Sequence, residues 1–157
     1  MKQKVIFLIG PPLSGKDTYI KNNNFENHEI ISRDDIMMSL HNNSDYDQAF
    51  KSVNQKLVDK LFNEKIFTAI NNGKNVVINM TNLSVKSRHR NLCKFSQETY
   101  ERVAIVFPRL TIDEYKSRNK KRKEEVNKFI PIEVINDMLL RWEKVTLDEG
   151  FNTIVNL

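Results

Sequence analysis

A chain of 157 residues with one cysteine, one tryptophan and three histidines is poor in the side chains that staple small folds or bind structural metals. The lone Cys93 cannot close an internal disulfide, which excludes a disulfide scaffold and fits a reducing compartment, where a single cysteine reads as a small buried apolar residue. His28, His41 and His89 lack metal-ligand spacing with Cys93 or with each other, so no zinc site is expected. No apolar run approaches the ~20 residues of a membrane-spanning helix. The opening MKQKVIFLIG has a basic tip, but its apolar run is short for a secretory signal and leads into Gly-Pro-Pro instead of a cleavage site. Repeats, low-complexity tracts and linkers are missing, and the nine phenylalanines do not form the interleaved aromatic pattern of an RNA-binding sheet. These absences leave a soluble, cytoplasmic protein without a membrane partner, folded as a single domain over residues 1–157.

What is present is charge and alternation. Lys and Arg number 25 against 20 Asp and Glu, and the net charge of +5 favours polyanionic partners. Val5 to Ile9 is a continuous branched apolar run, which predicts a strand buried on both faces and central in its sheet. A short helix follows over Lys16 to Asn24, a second strand over His28 to Ser32, and a helical turn over Arg33 to Leu40. The spacing of Tyr46, Phe50, Val53, Leu57 and Leu61 predicts one long helix from Ser44 to Asn72, stopped by Gly73. Asn75 to Asn79 and Arg102 to Phe107 read as strands, with a basic-faced helix over Val85 to Gln97 between them. A helix starts near Thr111 and runs into KSRNKKRKEE. Pro131 opens a last helix, with Met138, Leu139 and Trp142 on its apolar side, that Gly150 ends, and FNTIVNL is the candidate fifth strand. The expected fold class is α/β: a P-loop NTPase-type parallel sheet of four to five strands, helices on both faces, and a helical arginine-bearing lid. Ligands of such sheets bind beyond the carboxyl ends of the strands, after Ile9, Ile31, Ile78 and Phe107.

Gly10-Pro11-Pro12-Leu13-Ser14-Gly15-Lys16 matches G-x-x-x-x-G-K between a strand and a helix, the context a phosphate-binding loop requires. Glycines let backbone N–H groups converge on phosphate oxygens, and Lys16 supplies a mobile ammonium. Asp17 stands where a metal-binding hydroxyl is usual, and Thr18 restores a hydroxyl one residue later. Three readings of Asp17 stay open: it binds Mg²⁺ directly, binds it through water, or stabilises the helix start. Arg33, Asp34 and Asp35 lie just past the second strand, where a carboxylate could accept the proton of an attacking hydroxyl. Ser32 to Asp35 also reads as a helix cap, with both acids favoured by the helix dipole.

GPPLSGKDT, ISRDD, VVINMTNLSVKSRHR and EYKSRNKKRKEEVNKFIPIEV, in this order, resemble the kinase domain of bacteriophage-type polynucleotide kinase-phosphatase over nearly the whole chain. The resemblance implies transfer of the γ-phosphate of ATP, with Mg²⁺, to a 5′-hydroxyl end of RNA or DNA, and the family's phosphatase domain has no counterpart here. It implies Lys16 as the phosphate-loop lysine, Asp34 as the general base, and Arg33 and Asp35 as residues shaping the acceptor pocket. Thr81 and Asn82 match the family's T-N strand end, and Arg118 and Arg122 match its two lid arginines, the second clamping ATP phosphates. About half of the basic lid is read as solvated helix surface. Three positions depart from the family pattern: Asp17, Met80 in place of an acid before T-N, and Met37 in place of a phosphate-binding arginine. Loss of that arginine suggests an acceptor grip moved to Arg88 or Arg90, unless those side chains pair with surface acids. Two alternatives accompany this reading, a kinase of nucleosides, nucleotides or other small hydroxyl compounds, and a nucleotide-binding module without turnover.

Overall fold

The computed structural model describes residues 1–41 and 46–157. Strands β1 (Gln3–Ile9), β2 (His28–Ser32), β3 (Asn75–Asn79), β4 (Tyr100–Val106) and β5 (Thr153–Asn156) form one sheet, in the order β2-β3-β1-β4-β5. All four pairings are parallel. Parallel neighbours need crossovers, and helices α1 (Lys16–Asn22), α2 (Arg33–Ser39), α3 (Tyr46–Ser52), α4 (Gln55–Asn71), α5 (Val85–Leu92), α6 (Ile112–Val126) and α7 (Ile132–Leu140) lie between the strands.

β1 is central because its side chains are apolar on both faces. Val5, Phe7 and Ile9 point into a large core with Val58, Phe62 and Ile66 of α4 and Leu92 of α5. Ile6 and Leu8 point the other way, into a smaller core with Val77, Ile105 and Phe107, closed by Tyr19 and Ile20 of α1. Burying each such side chain contributes about 1.5–3 kcal/mol, so no other register of β1 competes. Phe7 also meets Phe95 and Phe151 edge-on, at 6.5 and 5.6 Å between ring centroids.

Helix ends are where the structure departs from the sequence pattern. The long helix expected from Ser44 is two helices over the described residues, α3 and α4, and Ser44 itself lies outside them. The break is a cap: the Asn54 side-chain oxygen accepts from the N–H groups of Lys56 and Leu57, at 3.0 and 3.3 Å. Gly73, in the left-handed region at φ 61°, follows α4 as expected. α5 ends at Leu92 instead of Gln97, and Cys93, expected to be buried, is exposed because it caps the outer end of that helix. α7 ends at Leu140, so Trp142 lies beyond it, packed in the large core with the Arg109 guanidinium 4.4 Å from its ring centre. Gly150, at φ 112°, closes the short 3₁₀ turn Leu147–Glu149 and not a helix. Among the described residues no helix is long and apolar enough to cross a membrane.

Candidate active site

The loop after β1 is pinned at its base from both neighbouring strands. Gly10 N–H donates to Thr81 O, at 3.0 Å, and Phe107 N–H donates to Ile9 O, at 2.9 Å. A Cβ on Gly10 would stand 2.7 Å from Ser14 Oγ and 3.1 Å from Phe107 Cβ, so any side chain here forces Ser14 and Phe107 to shift. Gly15 holds φ 97° immediately before α1, and Leu13 is also left-handed, at φ 70°. The turn therefore curls back on itself, and Lys16 Nζ donates to the carbonyls of Gly10 and Pro11, at 2.7 and 2.8 Å. Burial pushes the Lys16 ammonium down to about 8; the Asp17 and Asp34 carboxylates oppose that shift, and the Arg122 guanidinium adds to it.

At the end of β2 the helix cap and two carboxylates facing the cavity occur together. Ser32 Oγ accepts from the N–H of Asp35, at 3.3 Å, which caps α2. That bond uses the backbone, and the side chains of Asp34 and Asp35 line the cavity above the loop. Partial burial and then the neighbouring Asp17 carboxylate push the Asp35 carboxyl above its ordinary range, with Lys128 pulling it back. Across the cavity Asn79, the last residue of β3, donates through Nδ2 to Asp17 Oδ1, at 3.0 Å.

The lid is α6. It starts on a capping box in which Thr111 Oγ1 accepts from Glu114 N–H and the Glu114 carboxylate accepts from Thr111 N–H, at 3.2 and 2.8 Å. Arg118 and Arg122, one turn apart, both line the cavity, whereas Lys116, Lys120, Lys121 and Lys123 are exposed and do not line it. Arg118 Nη1 donates to Leu13 O, at 2.8 Å, joining lid to loop. From within α6, Asn119 grips both backbone groups of Ile130 beyond the helix, at 2.6 and 3.1 Å, so the return segment presents Lys128 and Ile130 to the same cavity.

The cavity holds about 470 Å³. Pro12, Leu13, Ser14, Gly15, Lys16, Asp17, Thr18, Asp34, Asp35, Thr81, Arg118 and Arg122 line it. Gly10 and Pro11 stand behind that wall and reach it through the carbonyls that hold Lys16. Three expected acceptor contacts are corrected. Arg88 is fully buried and bound to Glu149 and to the carbonyls of Asn82, Leu83 and Lys144, so it cannot reach a ligand. Arg33 turns to Asp59 and Gln55, at 2.9 and 2.8 Å, away from the cavity. Asn82, left-handed at φ 51° and buried, donates to Leu8 O, at 2.8 Å, and so ties the end of β3 to β1. Met37 is fully buried in the large core. Asn79 stands directly after Ile78, where the strand ends point to a ligand, although its side chain is not among the expected site residues; Lys128 is brought in by the fold of the return segment alone.

A polyphosphate fits this donor set: a left-handed glycine loop, a loop lysine and two arginines around one opening. Among the described residues no group of three or more His, Cys, Asp or Glu could by itself hold a metal ion. Mg²⁺ commonly takes one or two carboxylates and completes its shell with phosphate oxygens and water, so the single carboxylate of Asp17 beside the loop suits it.

A family model described as an AAA domain matches residues 5–145. No curated protein matches the chain. Among solved structures, a chain of the Pnkp1/Rnl/Hen1 RNA repair complex is similar at 25% identity and a TM-score of 0.70, covering 90% of this chain and 44% of that one. The chain thus spans less than half the length of that relative. A putative kinase from Chloroflexus aurantiacus J-10-fl is similar at 13% identity and a TM-score of 0.70, over 99% of this chain and 85% of that one. A gluconokinase from Sinorhizobium meliloti 1021 is similar at 14% identity and a TM-score of 0.54, over 98% and 81%. The match over residues 5–145, on a five-stranded parallel sheet with its phosphate loop after the central strand, establishes that the chain belongs to the AAA domain family and has the fold of a P-loop kinase.

Proposed function

We propose that the chain transfers the γ-phosphate of ATP to the 5′-hydroxyl of an RNA or DNA end. The observation that carries this is the meeting, in one cavity, of the loop lysine Lys16, the acid Asp34 and the lid arginines Arg118 and Arg122. The likeness to a chain of an RNA repair complex supports a polynucleotide acceptor. In this reading the loop N–H groups and Lys16 hold the triphosphate, and Lys16 exchanges the carbonyls of Gly10 and Pro11 for phosphate oxygens. Asp34 accepts the proton of the 5′-hydroxyl as its oxygen bonds to the γ-phosphorus. The bond to the β,γ-bridging oxygen breaks, and its electron pair leaves with ADP. Arg122 and Lys16 stabilise the charge on the transferring group. Asp17 would hold Mg²⁺, which supplies neutralisation of phosphate charge when bound. Thr81 and Asp35 line the acceptor side.

A second reading, a kinase of a small hydroxyl compound, is favoured by one observation. Arg88 and Met37 are buried and Arg33 is bound to Asp59 and Gln55, so none of these three positions offers a free cation to a polynucleotide phosphate. Incubation with labelled ATP and 5′-hydroxyl oligonucleotides of both sugars, beside free nucleosides, nucleotides and sugar acids, separates the two. Label on oligonucleotide ends supports the first reading. Label only on a small compound overturns it.

A further inference from the structure

In P-loop enzymes the divalent cation is commonly held between a hydroxyl following the loop lysine and a carboxylate from a neighbouring strand. This chain has neither. The residue after Lys16 is Asp17, and β3 ends in Asn79 followed by Met80. Asn79 pairs with Leu8 of β1 and Ser32 of β2, which sets it at the rim between the phosphate loop and the acid pair. The two unusual residues touch each other, Asn79 Nδ2 donating to Asp17 Oδ1 at 3.0 Å, and both line the cavity.

We propose that Asp17 and Asn79 are an exchanged pair: the loop supplies the carboxylate for the nucleotide's divalent cation, and the strand supplies the neutral group that holds it. Three features support this. An aspartate at position 79 would put a second negative charge against Asp17 at hydrogen-bond distance, whereas an amide offers a donor. With one oxygen bound by Asn79, the Asp17 carboxylate is oriented, as outer partners orient metal ligands. At the end of the strand Met80 has no hard oxygen for Mg²⁺, and the neighbouring Thr18 and Thr81 offer neutral hydroxyls and no carboxylate. Asn79 is a positioning residue in this scheme, acting through Asp17.

The proposal rests on the loop binding a nucleotide but not on the identity of the acceptor, so its test leaves the acceptor out. Mn²⁺ binding to the protein with saturating ADP is measured by electron paramagnetic resonance, and metal-free ADP binding is measured separately in EDTA by calorimetry. Asp17→Ser should weaken Mn²⁺ binding at least tenfold relative to the wild type, and Asn79→Ala should weaken it by about tenfold. The double variant Asp17→Ser/Asn79→Asp, with hydroxyl on the loop and carboxylate on the strand, should regain most of the affinity that Asp17→Ser loses. Metal-free ADP binding should not weaken in Asp17→Ser, which removes a negative charge from the phosphate cavity, and melting curves should show each variant folded. The exchange is refuted if the double variant binds Mn²⁺ no better than Asp17→Ser, or if Asn79→Ala leaves Mn²⁺ binding unchanged. Wild-type protein that fails to bind ADP in EDTA and in Mn²⁺ alike overturns the phosphate-loop reading and the exchange together; ADP binding with a failed exchange overturns only the latter.

Discussion

Replacing Glu149 by Gln should unfold this protein well below the wild-type temperature, although Glu149 lies far from the cavity in sequence and lines no part of it. The Arg88 side chain is 0% exposed and that of Glu149 7%. All five N–H donors of the guanidinium are used: Nε and Nη2 donate to the two carboxylate oxygens at 2.7 and 3.0 Å, Nη1 to Asn82 O and Leu83 O at 3.0 and 2.8 Å, and Nη2 also to Lys144 O at 3.2 Å. This one side chain therefore joins the end of β3, the segment after α7 and the turn before β5. Glu149→Gln keeps the shape and removes the charge, leaving a buried cation without its counter-ion, a loss of about 3–5 kcal/mol. For a chain of this size each kcal/mol shifts the midpoint by roughly 2–4 °C, so Tm should fall by about 10 °C. Denaturant titration should show a lower midpoint with an unchanged slope. A double variant, Arg88→Met/Glu149→Leu, should recover part of the loss, since both charges are gone and what remains unpaired is the carbonyl acceptors of Arg88 and the Thr146 N–H that Glu149 caps. A Glu149→Gln protein within 1 kcal/mol of wild type refutes the argument, for the pair would then be better hydrated than its burial implies.

Other outcomes follow from the cavity. Phosphate binding favours the charged form of Lys16, whose pKa sits at about 8, so ATP binding should take up protons near pH 8 and weaken as pH rises above it. Calorimetry in buffers of different ionisation enthalpy should register an uptake of about half a proton at pH 8, absent in Lys16→Met. The same shift, lowered from 10.5, means that the unfolded chain binds more protons between about 8 and 10.5, so this group makes stability rise with pH across that window. Gly10→Ala should abolish nucleotide binding, because the added Cβ meets Ser14 Oγ at 2.7 Å and the Phe107 Cβ at 3.1 Å; retained affinity by fluorescent-nucleotide titration would contradict the fit. Asp34→Asn should leave ATP affinity within about threefold and lower single-turnover phosphate transfer by about a hundredfold or more, and an unchanged transfer rate would remove Asp34 from the base role.

The cavity floor was legible in the sequence because its signals are local. Gly10, Gly15 and Lys16 sit at fixed spacing after an apolar run, and the turn they dictate is a matter of backbone sterics within a few residues. Asp34 and Asp35 were legible for the same reason: a strand end fixes where the following residues lie. The acceptor grip expected of Arg88 gave way to the alternative of an acid partner, because the fold brings Glu149 and three carbonyls to it, two of them from nearby Asn82 and Leu83 and the rest from distant segments. Arg33 was misread, since its partners Gln55 and Asp59 belong to a helix more than one element away. The helix break at Asn54 was hidden by apolar spacing that runs on across the cap.

The sequence by itself determined the strand-helix alternation, the central place of β1, and the phosphate loop with its lysine. Period and short spacing encode these, and burial of both faces of β1 leaves no competing arrangement. Only the tertiary structure decided which of the many basic and polar side chains face the cavity. A charged residue turns inward or outward according to partners far along the chain, and those partners are chosen by packing. Asp17 illustrates both: its departure from the loop pattern is visible in the sequence, but its contact with Asn79, 62 residues away, exists only because β3 lies beside β1.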